Sequence, residues 1–289
     1  MAEAPHEPVL VTEVVGLLSG AETVVDLTVG AGGHARALLD AGVGRVVGVD
    51  RDERALQEAR ARLAGLGARF RAVRGLFSEV LEVAEEAGVR EAGGVLYDLG
   101  VSSLQLDPSE RGFSYRAEGP LDMRMGEGDL TAADVVNTYP EHELARVIRE
   151  YGEERFAGRV ARAIIRARER APLETTRELA AVVAAAVPRR RGGPHPARRT
   201  FQAIRIEVNG ELEELAASLP RAVQLLAPVG RIVAISYHSL EDRVVKRSFL
   251  DDERLEVLTK KPVRASKAEA ERNPRARSAK LRAAERRAA

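Results

Sequence analysis

Val24-Val25-Asp26-Leu27-Thr28-Val29-Gly30-Ala31-Gly32-Gly33-His34-Ala35-Arg36-Ala37-Leu38-Leu39 is the stretch on which the fold turns. Val24 to Leu27 is a short apolar run of the kind that fills a buried strand. Gly30, Gly32 and Gly33 then interrupt it, because a glycine-rich run lacks both the side chains and the stiffness to extend a strand. Ala35 to Leu39 resumes as a helix that ends at Gly42. The order is strand, glycine turn, helix.

The same cycle repeats downstream. Arg45-Val46-Val47-Gly48-Val49-Asp50 reads as a second strand, and Asp52 as the cap of a helix with Leu56, Ala59 and Leu63 on its apolar side. Phe70 to Val73 reads as a third strand, Ser78 as the cap of a helix through Val80, Leu81 and Ala84, and Gly93 to Asp98 as a fourth strand. Regular β-α alternation predicts an α/β fold with a parallel sheet covered on both faces.

After residue 103 the alternation stops. Leu104–Leu130 has no periodicity, is broken by the Gly119-Pro120 pair, and is long enough for a loop to suggest function. The pattern is then helical: a start at Thr131-Ala132-Ala133-Asp134, Pro140 at a first helical position, a stripe of Ala157, Val160, Ala161, Ile164 and Ile165, and a Thr175/Glu178 capping box. One long helix is expected from Thr200 to Leu226 with a kink near Pro220, before Arg231 to Tyr237 returns to strand. The expected architecture is a discontinuous α/β domain of residues 1–103 and 205–289, interrupted by a helical insertion of residues 104–204.

The chain has 289 residues, 45 Lys plus Arg against 44 Asp plus Glu, and 31% charged residues, which excludes a disulfide mini-protein, a disordered tail and a spanning helix. No signal-peptide order opens it, so a cytoplasmic address is expected. The absence of cysteine excludes disulfides, thiolate metal sites and cysteine nucleophiles, and the five histidines are scattered without ligand spacing, so no metal is expected. The near-neutral total conceals asymmetry. Val187–Arg205 carries six arginines and no acid, and Arg254–Ala289 carries twelve basic residues and four acids, which leaves the remainder at −13. Arg189, Arg190 and Arg191, with Arg198 and Arg199, sit in or beside a run rich in Pro and Gly, and read as phosphate-binding arms on a loop.

Gly30-Ala31-Gly32-Gly33-His34-Ala35 satisfies G-x-G-x-x-G/A, with Asp50 at the spacing of a ribose carboxylate, so a dinucleotide is one reading. Glycines at a helix N-terminus let an anion approach the exposed N–H groups. Asp26, just before the turn, would repel a pyrophosphate but attract an ammonium or sulfonium, which favours S-adenosylmethionine. Phe77 offers a ring on which adenine could stack.

Further blocks extend the pattern: His6-x-Pro8-Val9-Leu10, Asp98-Leu99-Gly100-Val101-Ser102-Ser103, Arg111-Gly112-Phe113-Ser114-Tyr115, Gly119-Pro120-Leu121-Asp122-Met123-Arg124-Met125, His195-Pro196-Ala197-Arg198-Arg199-Thr200-Phe201-Gln202, His238-Ser239-Leu240-Glu241-Asp242-Arg243 and Asn273-Pro274-Arg275-Ala276-Arg277. With the glycine turn, this set resembles, essentially end to end, the bacterial 16S ribosomal RNA cytosine-N4 methyltransferases of the MraW (RsmH) type. The resemblance implies a class I, Rossmann-like methyltransferase sheet with an inserted helical domain for substrate recognition. It also implies methyl transfer from S-adenosylmethionine to the N4 amine of a decoding-centre cytidine, in 16S ribosomal RNA or the small ribosomal subunit. By motif position, cofactor contacts would fall to Gly32, Gly33, His34, Asp50, Phe77, Asp98 and Gln105, alongside Asp26 and Gly30 from the turn itself. Val29 and Ala31 vary the turn, and Tyr237 stands where the family often has Phe; neither departure is expected to touch the predicted contacts.

An exocyclic cytosine amine is a poor nucleophile because its lone pair is delocalised into the ring. An acceptor that holds its N–H groups aims the lone pair at the sulfonium methyl, and Asp98, ending the fourth strand, is the candidate catalytic residue. Phe113, Tyr115 and Tyr237 are candidate surfaces for an unstacked base. Two competing functions are a nicotinamide-dependent oxidoreductase and a non-catalytic RNA-binding ribosome-assembly factor that retains the cofactor fold.

Overall fold

The computed structural model describes residues 7–100, 109–188 and 193–288. His6, Val101, Ser102, Ser103, Gln105, Arg189, Arg190 and Arg191 lie outside the described residues. The chain divides into two compact units, one of Met1–Gly100 with Leu212–Ala289 and one of Val101–Glu211.

The first unit begins with α1 (Val11–Leu18), then β1 (Thr23–Asp26), α2 (Gly33–Asp40), β2 (Arg45–Asp50), α3 (Glu53–Leu63), β3 (Phe70–Arg74), α4 (Val80–Glu86) and β4 (Ala92–Asp98). Asp52 caps α3 as its spacing predicts, its Oδ1 accepting the Arg54 N–H at 3.1 Å. Ser78 caps nothing. It sits in a 3-10 turn, Phe77–Glu79, that leads into α4, and its N–H goes instead to Glu214 Oε2 at 3.3 Å.

The second unit contains α5 (Ala132–Thr138), α6 (Glu141–Glu150), α7 (Ala157–Arg168), α8 (Thr176–Ala186) and α9 (Arg198–Asn209). Thr131 with Asp134, and Thr175 with Glu178, form capping boxes. The core is Leu144, Ile148, Val160, Ile164, Leu179, Val183, Phe201 and Ile204. The aperiodic stretch, over its described residues 109–130, is built into this core rather than standing over it. Phe113, Leu121, Met123 and Met125 are buried in the same cluster, and the buried Asn209 accepts the Met125 N–H and donates to the Met123 carbonyl, both at 2.8 Å. Phe113 is thereby a core residue, not a receiving surface for a base.

The chain returns to the first unit through α10 (Glu211–Leu225), followed by β5 (Leu226–Ser236), α11 (Ser239–Asp251), β6 (Leu255–Val257), α12 (Lys267–Arg272) and β7 (Lys280–Arg286). The single helix expected from Thr200 to Leu226 is two. Gly210 stands at φ 58° between them, a left-handed conformation that ends α9.

The sheet order is β3-β2-β1-β4-β5-β7-β6, with β1 to β5 parallel and β7 antiparallel to both β5 and β6. Alternation along the central strands supplies two cores. Val25, Val47, Val95, Tyr97, Ile232 and Ala234 face one layer; Val24, Val46, Leu96, Val233 and Ile235 face the other. Strand order reverses between β1 and β4, and open α/β sheets bind ligands at that point, beyond the carboxyl ends of the strands.

Gly112 is the most tightly confined of the described glycines. It has φ 71°, and a Cβ there would lie 2.0 Å from the Pro120 carbonyl oxygen. Gly112→Ala therefore combines a left-handed strain of about 1–2 kcal/mol with a backbone clash. We expect a loss of more than about 2 kcal/mol, seen as an earlier transition in thermal unfolding; an unchanged transition would show that the 109–130 segment is not part of the cooperative core.

Candidate active site

Three carboxylates end three adjacent parallel strands: Asp50 on β2, Asp26 on β1 and Asp98 on β4. The segment after β1 is pinned between its neighbours, with Leu27 N–H bonded to the Leu96 carbonyl at 2.9 Å and Val29 N–H to the Val49 carbonyl at 3.0 Å. Gly30 (φ 50°) and Gly32 (φ 77°) then take left-handed conformations, and Gly32 N–H closes on the Val29 carbonyl at 2.7 Å. The three glycines differ in what they leave room for. A Cβ on Gly32 would meet Leu63 Cδ1 at 2.8 Å and one on Gly33 would meet Pro8 Cγ at 3.1 Å, whereas one on Gly30 would meet nothing nearer than 3.9 Å. Gly32 and Gly33 serve the packing of the turn against α3 and the N-terminal segment. Gly30 opens onto space.

Thr28 is the hub that the sequence reading missed. Its hydroxyl accepts the Asp98 N–H at 2.5 Å and donates to Asp26 Oδ1 at 3.3 Å, and its own N–H reaches the same oxygen at 3.1 Å. The signal was present, since an Asp two residues before a Thr is an Asx-turn pattern. Asp26 is 1% exposed. Burial pushes its carboxyl up to about 6 against the opposing pull of His34 and of the Thr28 N–H, while Asp98 pushes in the same direction as burial. Asp26 Oδ2 is buried and has no hydrogen-bond partner among the described residues.

Asp50 is held by two backbone donors. Oδ2 accepts from Gly30 N–H at 3.1 Å and Oδ1 from Asp52 N–H at 2.9 Å. Burial raises this carboxyl too, to about 6, over the lowering effect of those two bonds. Each oxygen keeps acceptor capacity for a hydroxyl. His34, on the first turn of α2, is buried, with Nε2 2.9 Å from the Val9 carbonyl and Nδ1 3.6 Å from Asp98 Oδ2. A carbonyl only accepts, so Nε2 carries the proton there. Phe77, half-buried just past β3, meets the Tyr97 ring edge-on with centroids 5.7 Å apart.

Tyr237 corrects an expectation. Its hydroxyl donates to Asp98 Oδ1 at 2.6 Å, so this departure from the family pattern bears directly on a predicted contact. Burial and then the Asp98 charge push the phenol well above its ordinary value, which keeps it a donor. Glu241 Oε2 accepts the Tyr237 N–H at 2.8 Å and so holds the residue from the start of α11. Asp26, Gly30, Gly32, Gly33, His34, Asp50, Phe77 and Asp98 thus all lie along the carboxyl edge of the first unit. Arg198 and Arg199 lie at the start of α9 in the second unit. Arg198 is exposed; Arg199 Nη1 donates to the Glu153 carbonyl at 3.1 Å and lies 3.8 Å from the Glu154 carboxylate, so it also braces that turn. Among the described residues there is no cluster of three His, Cys, Asp or Glu that could hold a metal, and no helix long and apolar enough to cross a membrane.

The arrangement fits S-adenosylmethionine. An orphaned carboxylate oxygen suits an ammonium, a doubly anchored carboxylate suits a ribose diol, and a ring suits adenine. The model of the MraW methylase family matches residues 3–287. The chain belongs to that family. It is 53% identical over 283 residues to the ribosomal RNA small subunit methyltransferase H of Deinococcus deserti, covering 97% of this chain and 93% of that protein. It is 52% identical over 287 residues to the protein of that name from Deinococcus radiodurans, covering 98% and 90%. To that of Carboxydothermus hydrogenoformans it is 49% identical over 305 residues, covering 98% of each. The α/β fold with a parallel sheet expected from the β-α alternation, and the methylase sheet implied by the resemblance, are observed, and the oxidoreductase reading is not favoured.

The raised carboxyls make stability fall with pH. A folded-state value near 6 for Asp26 against an ordinary 3.8 means that the folded chain binds the proton more tightly. Its contribution is present below the ordinary value and is lost as pH rises through about 6. Asp26→Asn removes that dependence, and the cost of its own amide does not vary with pH. Between about pH 4 and 8 the variant should gain on the order of 1–3 kcal/mol relative to the parent. Parallel unfolding curves across pH would remove the assignment of Asp26 as a buried titrating acid.

Proposed function

We propose that the chain methylates the N4 exocyclic amine of a cytidine in the decoding region of 16S ribosomal RNA, with S-adenosylmethionine as donor and free RNA or the small subunit as the substrate particle. The observation that carries this reading is the buried, unpartnered Asp26 oxygen at the reversal of strand order, with Asp98 on the adjoining strand. The family and the names of its relatives supply the substrate class. Bound S-adenosylmethionine supplies an electrophilic methyl group on a sulfonium.

The chain's own residues supply placement. Asp26 receives the cofactor's ammonium, Asp50 its ribose hydroxyls and Phe77 its adenine, with Gly30 giving backbone access. Gly32, Gly33 and His34 shape the turn and the start of α2. Asp98, held by Tyr237 on one oxygen and facing His34 with the other, accepts an N–H of the target amine and turns its lone pair toward the methyl group. Arg198 and Arg199, with Arg189, Arg190 and Arg191 of the neighbouring Pro- and Gly-rich sequence, contact RNA phosphates.

Methyl transfer from labelled cofactor to small-subunit RNA, with nucleoside mapping of the product, tests the reading; no transfer to either free RNA or subunit would sink it. Two narrower outcomes follow from the site residues. Asp50→Ala removes up to two charge-assisted bonds, each worth roughly 1.5–3 kcal/mol. It should weaken cofactor binding by at least about tenfold in calorimetry and leave RNA binding unaltered; unchanged cofactor affinity would exclude the ribose contact. Asp98→Asn should lower the single-turnover rate at saturating cofactor and RNA by on the order of 10²–10³. Tyr237→Phe keeps the carboxylate but loses its tether, and should cost only about tenfold. Rates for Asp98→Asn within about threefold of the parent would reduce Asp98 to a binding residue.

A further inference from the structure

The second unit carries a basic surface that charge counting along the sequence left inside an acidic remainder. Arg155–Arg168 holds five arginines and no acid. Arg168 Nη1 donates to the Val136 and Tyr139 carbonyls at 2.9 and 2.7 Å. Arg155 precedes the helix and lies 4.7 Å from the Phe156 ring centroid, which Arg159 also approaches, at 5.6 Å.

The other three, Arg159, Arg162 and Arg166, recur at i, i+3 and i+7 on α7 and therefore form one stripe. Val160, Ala161 and Ile164 occupy the opposite, buried side. The stripe lines a groove of about 520 Å³ whose remaining lining is Ala163, Val182, Ala185 and Ala186. The walls are guanidinium, the floor is hydrocarbon, and among the described residues no carboxylate lines it. All three arginines are exposed. Among the described residues the carboxylate beside them is Glu141, 3.6 Å from Arg162 across a contact in which both side chains are about half exposed, at 54% and 48%. That is a surface pair of small worth.

Like charges at these spacings destabilise a helix by a few tenths of a kcal/mol per pair. A face that served only solubility would interleave acids, as α3 does with Glu53 and Arg60 at 2.6 Å. The span of the stripe selects the occupant. Seven residues of helix rise about 10 Å, too far for one phosphate ion. Phosphates recur along a nucleic-acid strand at roughly 3.4 Å of axial rise, so the stripe spans several of them. A hydrocarbon floor between cationic walls accepts ribose.

We propose that the groove between α7 and α8 is a docking track for the sugar-phosphate backbone of RNA, in addition to the arginines around Arg198. The proposal rests on the reading of the chain as an RNA methylase. Its test compares the whole chain with the triple variant Arg159→Gln, Arg162→Gln, Arg166→Gln. Both are titrated with a fragment of small-subunit ribosomal RNA and with oligouridylate between roughly 50 and 200 mM salt, with cofactor affinity as the control for folding.

The expected result for the triple variant is a log–log salt slope shallower by about 2–3, affinity at low salt reduced by about tenfold or more, and unchanged cofactor affinity. The corresponding triple substitution by Lys should keep the slope within about 1 of the parent, because each charge is retained. Ala185→Glu, which puts an acid on the exposed floor without removing an arginine, should weaken binding to both RNAs. If the parent binds RNA and the Gln variant binds it with the same affinity and slope, the track is overturned while the methylase reading stands. Loss of binding to an acidic protein but not to RNA would overturn it in the same way. If the parent binds neither these RNAs nor the small ribosomal subunit, the methylase reading falls and the track falls with it.

Discussion

Three like charges brought to the ends of three neighbouring strands is the constraint to which the rest of the active-site edge answers. Asp50, Asp26 and Asp98 stand on β2, β1 and β4 in that spatial order, and low-dielectric surroundings penalise every added negative charge. The structure meets this in three ways. Backbone N–H groups of Gly30 and Asp52 take Asp50, Thr28 joins Asp26 to the backbone of Asp98, and the Tyr237 hydroxyl takes Oδ1 of Asp98. One acceptor, Asp26 Oδ2, is left over. On the proposed reading a cationic group of the ligand would fill that need, and the residual cost in the ligand-free chain would become affinity for a ligand of the right sign.

The sequence blocks that do not touch this edge hold it in place. Asp242 on α11 binds Lys280 Nζ at 3.1 Å and Arg282 Nε at 2.6 Å, which fastens the helix after β5 to β7. Asn273 donates to the Glu7 carbonyl at 2.9 Å, and Leu10 N–H reaches Glu269 at 2.7 Å, so the C-terminal segment clamps the N-terminal one. That N-terminal segment presents the Val9 carbonyl to His34.

Charge along the chain divides in the same manner once partners are visible. The C-terminal basic segment, which by composition rivals the arginine loop, is largely engaged within the fold. Arg254 forks onto Asp252, Arg277 donates to the Ala270 carbonyl, Arg287 to the Glu253 and Leu255 carbonyls, and Arg286 to Leu226. Arg275 lies 6.0 Å from the Tyr237 ring centroid. Clustering in sequence is a weak guide to exposed charge, because a helix or strand distributes neighbours over different faces. The stripe on α7 shows the converse, because arginines three and four residues apart in sequence are gathered there on one exposed face.

What the sequence by itself determined was everything set by short-range periodicity and local hydrogen bonding. The Val-rich runs could only be buried strands, the glycine run could only turn, and Asp52, Thr131 and Thr175 announced their helices because a cap needs nothing beyond the next turn. From those elements the carboxyl-edge acids Asp26, Asp50 and Asp98 followed directly. Tertiary structure decided the rest. Lys280-Leu281-Arg282-Ala283-Ala284-Glu285-Arg286 has the composition of a helix, yet it lies as a strand between β5 and β6 with Leu281 to Ala284 buried. The unpaired edge of β5 supplies a ladder of backbone bonds that outweighs local propensity. The Tyr237 contact with Asp98, 139 residues apart, and the merging of segment 109–130 into a helical core likewise depend on partners distant in the chain. No local rule encodes them, because their energy exists only after the sheet and the bundle have brought the partners within reach.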